Sequence, residues 1–251
     1  MHGLAHQPGR IDLHSHLLPQ VDDGCACVED SLACVRELLA HGYEGTICTP
    51  HVWGELFPDN TPARIARWVD RLRERLAVEG LSYRLWPGGE LRLHDNAVPW
   101  MRVHGVPTLA GSNCVLTDFW ADHWPDYVDR TFAWLLDEGY TPVLAHPERL
   151  GCPDELFARL DDLAAMGVLL QGNFKPVTGE EGLRPMTVAR RLLDEDRYTF
   201  MALDMHGPDS LAVRFDGLRL IDRELGPARL HRYTCTAPRE FIINLTVQAA
   251  A

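Results

Sequence analysis

The sequence lacks the apolar segments that insert into or cross membranes. No apolar run approaches the roughly 18 residues that a membrane-spanning helix needs, and residues 1–10 hold no apolar stretch of the kind found in a secretory signal. We therefore expect no membrane insertion and a cytoplasmic location.

Positive charge is also scarce. Lys175 is the only lysine, and 24 Lys and Arg residues against 36 Asp and Glu residues give a formal net charge of −12. A protein that grips a nucleic-acid backbone normally presents a basic surface. The charge balance therefore argues against nucleic acid as a partner.

Cysteine pairs at zinc-finger spacing are absent as well. There are seven cysteines, and the close pair Cys25 and Cys27 has no matching second pair. An odd number without a secretory signal indicates free thiols in a reducing compartment.

What the sequence does contain is an alternation of strand-like and helix-like segments over its 251 residues, of which 46% are apolar. Short apolar runs predict strands, at 11–13, 45–49, 82–86, 113–117, 142–145, 168–170 and 199–203. Amphipathic patterns predict helices at about 29–41, 61–79, 126–138, 154–166, 185–193, 210–225 and 227–233, with a further start near Pro238.

Six or seven strand-then-helix units in one chain of this length favour a (β/α) barrel, with an open doubly wound sheet as the alternative. We see no linker, low-complexity stretch or internal repeat, and we expect a single domain over residues 1–251.

Histidines and carboxylates directly follow most of these predicted strands. They are His14, His16, His51, Glu90, Asp118, His146, Asp204 and His206. A barrel gathers its strand ends on one face, where the active sites of this fold lie. We therefore expect residues far apart in sequence to converge in space.

Imidazole and carboxylate groups are ligands for zinc, manganese or iron. His14 and His16 are two residues apart on an extended segment, so both side chains point the same way and can bind one ion. A single histidine at a strand end is more often a hydrogen-bonded residue than a ligand. Five of the twelve histidines occupy this kind of position, which favours a metal site.

Several motifs together resemble the polymerase-and-histidinol-phosphatase (PHP) superfamily. They are Asp12-Leu13-His14-Ser15-His16, Val21-Asp22-Asp23-Gly24, Thr49-Pro50-His51, Gly88-Gly89-Glu90, Ala145-His146-Pro147-Glu148-Arg149 and Asp204-Met205-His206. The resemblance covers residues 11 to 240. The Asp-Asp-Gly and His-Pro-Glu-Arg segments favour the branch of bacterial manganese-dependent protein-tyrosine phosphatases of capsular and exopolysaccharide systems.

The resemblance implies an α/β fold, a distorted (β/α)7-type TIM-like barrel, that binds three divalent ions, Mn²⁺ with Fe or Zn as alternatives. It assigns His14, His16, Glu90 and Asp204 to the first ion, Glu90, Asp118 and His146 to the second, and Asp23, His51 and His206 to the third. It further implies hydrolysis by a metal-bound hydroxide, with Arg149, His51 and His206 as the catalytic residues. Arg149 would stabilise the phosphoryl oxygens, its alternative role being a salt bridge with Glu148.

The chain departs from this branch at four positions. Asp118 stands where relatives carry Glu, and Leu203 where they carry Ser. Leu150 replaces an aromatic residue and Leu211 replaces a second arginine, for which Arg214 is a candidate substitute. The last two positions would lie where a phosphorylated partner docks.

The resemblance implies a phosphotyrosine protein as substrate, the autokinase of a polysaccharide-export system, and allows an oligomer. Two other functions stay open. One is a phosphatase of a small metabolite such as histidinol phosphate, and the other is a weakly active metal-binding module that regulates a partner. Hydrolysis of C–N bonds is a further option, because barrels with strand-end metal sites also catalyse it.

Overall fold

The structure is a computed structural model that describes residues 8–151 and 155–243. Its strands are short: β1 (Arg10–Asp12), β2 (Tyr43–Cys48), β3 (His51–Val52), β4 (Arg84–Pro87), β5 (Glu90–Arg92), β6 (Cys114–Asp118), β7 (Thr141–Ala145), β8 (Leu169–Asn173) and β9 (Phe200–Ala202). The helices between and after them are α1 (Val28–Ala40), α2 (Pro62–Val78), α3 (Ala97–His104), α4 (Asp126–Asp137), α5 (Leu156–Met166), α6 (Phe174–Val177), α7 (Leu183–Asp194), α8 (Leu211–Leu225) and α9 (Pro227–His231).

Helix α2 shows how local sequence sets these elements. Thr61 has an extended backbone, and Pro62 takes the first helical position, where its missing N–H is not needed. Ile65, Val69 and Leu72 then recur at helical spacing and are buried. The helix therefore packs one apolar face and leaves the opposite face to solvent.

All described strand pairs are parallel and lie in two sheets. The first sheet has the order β1-β2-β4 and the second β3-β5-β6-β7-β8-β9. Backbone hydrogen bonds join the sheets just beyond the strand ends: Asp204 N donates to His14 O at 2.8 Å, and His16 N donates to Met205 O at 3.0 Å. The carboxyl ends of strands from both sheets are thereby held together.

Apolar side chains pack on both sides of the strands. Leu116 and Phe200 belong to an inner cluster, whereas their neighbours Val115 and Met201 belong to the larger cluster under the helices. Side chains alternate along a strand, so Asp118, two residues beyond Leu116, points to the inner side. The alternation along β6 thus places the Asp118 carboxylate at the end of the inner apolar cluster.

The predicted α/β organisation with parallel strands is confirmed. Helix α3 and the two short strands β3 and β5 were not predicted. The helix predicted at 154–166 begins outside the described residues and is observed from Leu156, and the segment after Pro238 forms a π-helical turn, Arg239–Ile243. Within the described residues, no helix is long and apolar enough to span a bilayer.

Candidate metal centre

The structure brings eight of the nine predicted metal ligands into three overlapping groups. Within each group, one ligand atom per residue lies within 4.8 Å of the others. The groups are His14, His16 and Asp204; His14, Glu90 and His146; and His16, Asp23, His51 and His206. The ninth, Asp118, lies beside them but outside these groups.

His14 and His16 direct their Nε2 atoms at the same two carboxylates. Nε2 of His14 lies 3.4 Å from Oε2 of Glu90 and 3.4 Å from Oδ1 of Asp204, and the corresponding distances for His16 are 3.5 and 3.4 Å. Within the described residues, both Nε2 atoms and Glu90 Oε2 are buried without a hydrogen-bond partner. Buried polar atoms are almost always satisfied, so this donor set fits a bound cation.

The opposite ring nitrogens of three histidines are held by protein oxygens. Nδ1 of His14 lies 2.8 Å from Gln171 Oε1, and Nδ1 of His16 lies 2.7 Å from Asp22 Oδ2. Nδ1 of His206 lies 3.0 Å from the backbone oxygen of Asp204. A neutral ring that donates from Nδ1 leaves Nε2 unprotonated, which is the arrangement of metal-binding histidines.

Glu90 also contacts two further imidazoles of the cluster. Its Oε1 lies 2.8 Å from His146 Nε2. Its Oε2 lies 2.9 Å from His51 Nδ1, although the angles there are not those of a hydrogen bond. One carboxylate therefore touches four imidazole rings, as a group that bridges two cations would.

Asp23 completes the solvent side of the cluster. Its Oδ1 lies 3.4 Å from His51 Nε2 and 3.5 Å from His206 Nε2. The Asp23 side chain is 60% exposed, whereas that of Glu90 is 1% exposed. The cluster is thus buried at Glu90 and exposed to solvent at Asp23.

Asp118 has a different partner from the other carboxylates. Its Oδ2 accepts a hydrogen bond from Arg92 Nη1 at 3.1 Å, and its Oδ1 is buried without a partner in the described part of the chain. Burial and the charge of Glu90 raise the pKa of Asp118 to about 6. Asp118 thus lies beside Arg92, at the edge of the histidine groups.

The charges of the cluster are strongly coupled. Burial acts to lower the pKa of His16 and that of His51, but neighbouring carboxylates outweigh it and raise them to about 10 and about 11. Burial acts to raise the pKa of Glu90, yet His14 and His51 hold it well below the usual value. In metal-free protein the cluster therefore keeps ionised carboxylates beside protonated imidazoles, so it stabilises positive charge.

Two of the clustered residues have left-handed backbone conformations, which only glycine adopts readily. They are His146 at φ 35° and Asp204 at φ 50°. Such strain is found where surrounding structure fixes a side chain for function. At both positions the turn directs the side chain into the cluster directly after a strand.

Comparison with known proteins shows which family this chain belongs to. The model of the family described as "Capsular polysaccharide synthesis, CpsB/CapC" matches residues 10–243. This chain belongs to the CpsB/CapC family.

Relatives within the CpsB/CapC family carry names that describe an activity. The tyrosine-protein phosphatase YwqE of Bacillus subtilis is 29% identical over 217 residues, 86% of this chain and 85% of YwqE. The tyrosine-protein phosphatase CpsB of Streptococcus pneumoniae is 28% identical, covering 93% of this chain and 98% of CpsB.

A solved structure of the same group superposes closely. It comes from crystal structures of B. subtilis YwqE and S. pneumoniae CpsB, described as unique metal-dependent tyrosine phosphatases. The TM-score is 0.82 at 28% identity, covering 91% of this chain and 93% of that chain. The resemblance inferred from the motifs is therefore confirmed.

Arg149 of this CpsB/CapC protein lies at the edge of the cluster. Its Nη1 donates to Asp204 Oδ2 at 2.6 Å, and its Nε donates to Glu181 Oε2 at 2.8 Å. The salt bridge considered with Glu148 does not form. Glu148 is buried and accepts hydrogen bonds from Asn173 N and Tyr198 Oη, both at 2.8 Å.

The candidate substitute for the missing second arginine is directed elsewhere. Arg214 is buried, and its Nε and Nη2 donate to the backbone oxygens of Leu203 and Asp204, both at 2.6 Å. It stabilises the turn that carries Asp204. In this structure it is not available to an incoming phosphate.

The interpretation of Leu150 and Leu211 as docking positions is wrong. Both side chains are buried in the apolar core, 3% and 2% exposed, so neither meets a partner. Leu203 is buried too, and its backbone N donates to Asp12 Oδ1 at 3.0 Å. All three leucine side chains therefore pack in the apolar core.

Five polar residues of the site were missed by sequence reasoning. They are Asp22, which holds His16; Arg92, which holds Asp118; Gln171, which holds His14; Asn173, whose Nδ2 donates to Asp204 Oδ2 at 2.8 Å; and Glu181, which holds Arg149. Asp22 stood inside the Asp-Asp-Gly motif and had a signal. Gln171 and Asn173 lie on β8, where no histidine or acid marks the strand end.

Proposed function

We propose that this protein is a metal-dependent phosphatase that hydrolyses phosphotyrosine in a protein partner. The observation that carries the proposal is a pair of buried imidazole nitrogens opposite Glu90 that have no hydrogen-bond partner among the described residues, with Arg149 placed beside Asp204. Family membership and the names of the relatives support the same activity.

Three divalent ions, Mn²⁺ with Fe or Zn as alternatives, are part of the proposal. His14, His16, Glu90 and Asp204 would hold the first, Glu90, Asp118 and His146 the second, and Asp23, His51 and His206 the third. When bound, such ions lower the pKa of coordinated water and neutralise developing charge on phosphoryl oxygens.

The protein's own groups position the substrate. The planar guanidinium of Arg149 is 31% exposed and suits two phosphoryl oxygens. Access is from the side of His206 and Asp23, the exposed edge of the cluster. Burial and nearby His16 lower the pKa of His206 to about 4, so its Nε2 is free of a proton at neutral pH.

The remaining parts of the proposal concern the setting of the enzyme. We infer a distorted (β/α)7-type barrel, since hydrogen bonds join the two sheets beyond their strand ends. We further infer a single domain over residues 1–251, a cytoplasmic location, an autokinase of a polysaccharide-export system as partner, and an oligomer as an allowed state.

A substrate panel tests the proposed function. Protein freed of metal by a chelator and reloaded with Mn²⁺, Fe²⁺ or Zn²⁺ is offered a phosphotyrosine peptide, a phosphoserine peptide and histidinol phosphate. We expect metal-dependent release of phosphate from the phosphotyrosine peptide. Release from histidinol phosphate alone would identify a metabolite phosphatase, and no release with metals bound would favour a regulatory module.

A further inference from the structure

A cleft of about 150 Å³ opens directly beside the metal cluster. One wall consists of the candidate ligands Asp23, His51 and Asp118. A phosphoryl group held at the cluster would therefore have its leaving group close to this cleft. The other residues that line the cleft therefore determine which leaving group fits there.

The rest of the lining, apart from Arg92, is apolar and mostly aromatic. This aromatic wall is formed by Trp53, Leu56, Phe57 and Trp120. Trp120 is 66% exposed and Leu56 is 58% exposed, so their apolar surface is not used by the core. Solvent-exposed clusters of large apolar side chains next to a candidate site are typical of a ligand groove.

Arg92 fixes the geometry of the two tryptophans. Its guanidinium carbon lies 4.4 Å from the centre of the Trp120 ring and 5.5 Å from that of Trp53, within the range of cation–π attraction. The same guanidinium pairs with Asp118. Arg92 thus connects the aromatic wall to the metal cluster, and it is only 13% exposed.

Phe57 adds a contact on the metal side. Its ring lies 5.8 Å from that of His51, at an interplanar angle of 13°. Phe57 therefore places an aromatic ring beside a candidate metal ligand, in the same cleft as the exposed Trp120. An apolar cavity of about 150 Å³ is large enough to admit a benzene ring.

We propose that this cleft binds the aromatic ring of an aryl phosphate monoester and makes the enzyme selective for aryl over alkyl phosphates. The proposal rests on the proposed function, because the phosphoryl group must be held at the cluster for the ring to enter the cleft. A serine phosphate has no ring to fill the cleft, so its binding gains nothing from the aromatic wall.

The test compares phenyl phosphate with glycerol 2-phosphate on the Mn²⁺-loaded protein and on Trp120→Ala. We expect kcat/KM for phenyl phosphate to fall by about tenfold, in line with the loss of one aromatic contact. The rate with glycerol 2-phosphate and the metal content should stay unchanged. Leu56→Ala should show a smaller change in the same direction.

Two matched variants control the experiment. Trp120→Phe keeps an aromatic ring and should retain the selectivity, and Val78→Ala truncates another exposed apolar side chain, outside the cleft. Binding of phenylphosphonate and methylphosphonate, measured by calorimetry, gives a readout independent of turnover. Trp120→Ala should weaken only the phenyl compound.

Equal losses for the phenyl and alkyl compounds in Trp120→Ala, or no loss for either, would overturn the cleft proposal and leave the phosphatase intact. If the wild-type protein hydrolysed neither phosphate ester, the proposed function would fail. Phosphonate binding would then decide the cleft separately, because preference for the phenyl compound that depends on Trp120 supports it and its absence opposes it.

Discussion

Glu90 is the residue that contacts most of the imidazoles in the candidate centre. Its two oxygens lie within 3.5 Å of nitrogens from four imidazoles, so removing its charge affects every group at once. We expect Glu90→Gln to lower metal content and to reduce phosphatase kcat/KM by at least about 100-fold. Metal analysis and rates on the purified variant measure both.

Glu74→Gln is the matched control for that substitution, since Glu74 is exposed on α2. It should keep both the metals and the rate. Circular dichroism would show that Glu90→Gln stays folded, because the amide has the shape of the carboxylate. Full metal content in Glu90→Gln would contradict the ligand assignment.

Arg149 should act on phosphate rather than on metal. Replacing it by lysine keeps a positive charge but loses the planar fork that holds Asp204 and Glu181. We expect Arg149→Lys to retain its metals while kcat/KM falls by about tenfold or more. The exposed Arg191→Lys is the control, and a metal loss in Arg149→Lys equal to that of Glu90→Gln would refute the separation of roles.

At this scale, sequence predicts a residue when its type and its position are both unusual. His14 and His146 satisfied that condition at strand ends. Glu181 did not, because a glutamate in a loop is ordinary, and its role depends on where Arg149 is folded. Arg214 looked available in sequence, whereas the turn after β9 takes up its donors.

At the scale of elements, close packing of α8 on α6 supports the turn that holds Asp204. A Cβ added at Gly217 would lie 2.1 Å from the backbone oxygen of Phe174. In an exposed helix, Gly→Ala would stabilise by up to about 1 kcal/mol. Here we expect the opposite sign, a destabilisation of about 1–3 kcal/mol.

Thermal unfolding of Gly217→Ala measures that effect, with a fall in Tm of about 2–4 °C for each kcal/mol. Asp216→Ala, on the neighbouring exposed position of the same helix, is the control for helix propensity. A rise in Tm for Gly217→Ala would mean that α8 is not held against α6 as described.

The two strands that sequence missed are very short. β3 has two residues and β5 has three, so neither is long enough to show the alternation of apolar and polar residues that marks a strand. Both form because they pair with a neighbouring strand. Their formation nevertheless fixes His51 opposite Glu90 in the register. The long amphipathic helices were predictable because their apolar spacing is a local property.

For the whole molecule, the cluster joins two sheets. His14 and His16 follow a strand of the first sheet, while Glu90 and Asp204 belong to the second. Metal bound by all four would therefore stabilise the folded chain against unfolding. At a free metal concentration of 100 times Kd, we expect a gain of about 2.7 kcal/mol, or about 5–10 °C in Tm.

Unfolding scans of chelator-treated protein with and without added Mn²⁺ measure this gain. His14→Ala should lose most of it, whereas replacement of exposed His231 by alanine should not. An unchanged Tm in the wild-type protein at saturating metal would show that the two sheets are not coupled through the cluster.

Metal binding should also release protons, and this sets the direction of its pH dependence. Neighbouring carboxylates raise the pKa of His16 and of His51 to about 10 and about 11 in metal-free protein, so both imidazoles are protonated at neutral pH. The stabilisation from these ion pairs is complete below the unfolded pKa of about 6.5 and is lost as pH rises through about 10 to 11. A cation must displace those protons, and its apparent affinity should rise about tenfold per pH unit for each proton released.

Calorimetric titration with Mn²⁺ at neutral pH, in buffers of different ionisation enthalpy, counts the protons directly. We expect at least one per protein and a metal-induced rise in Tm that is larger at about pH 8 than at about pH 6. His206 is the internal contrast, because its lowered pKa leaves no proton to displace. Equal affinities at the two pH values would show that the imidazoles are already neutral, and the electrostatic description of the cluster would then be wrong.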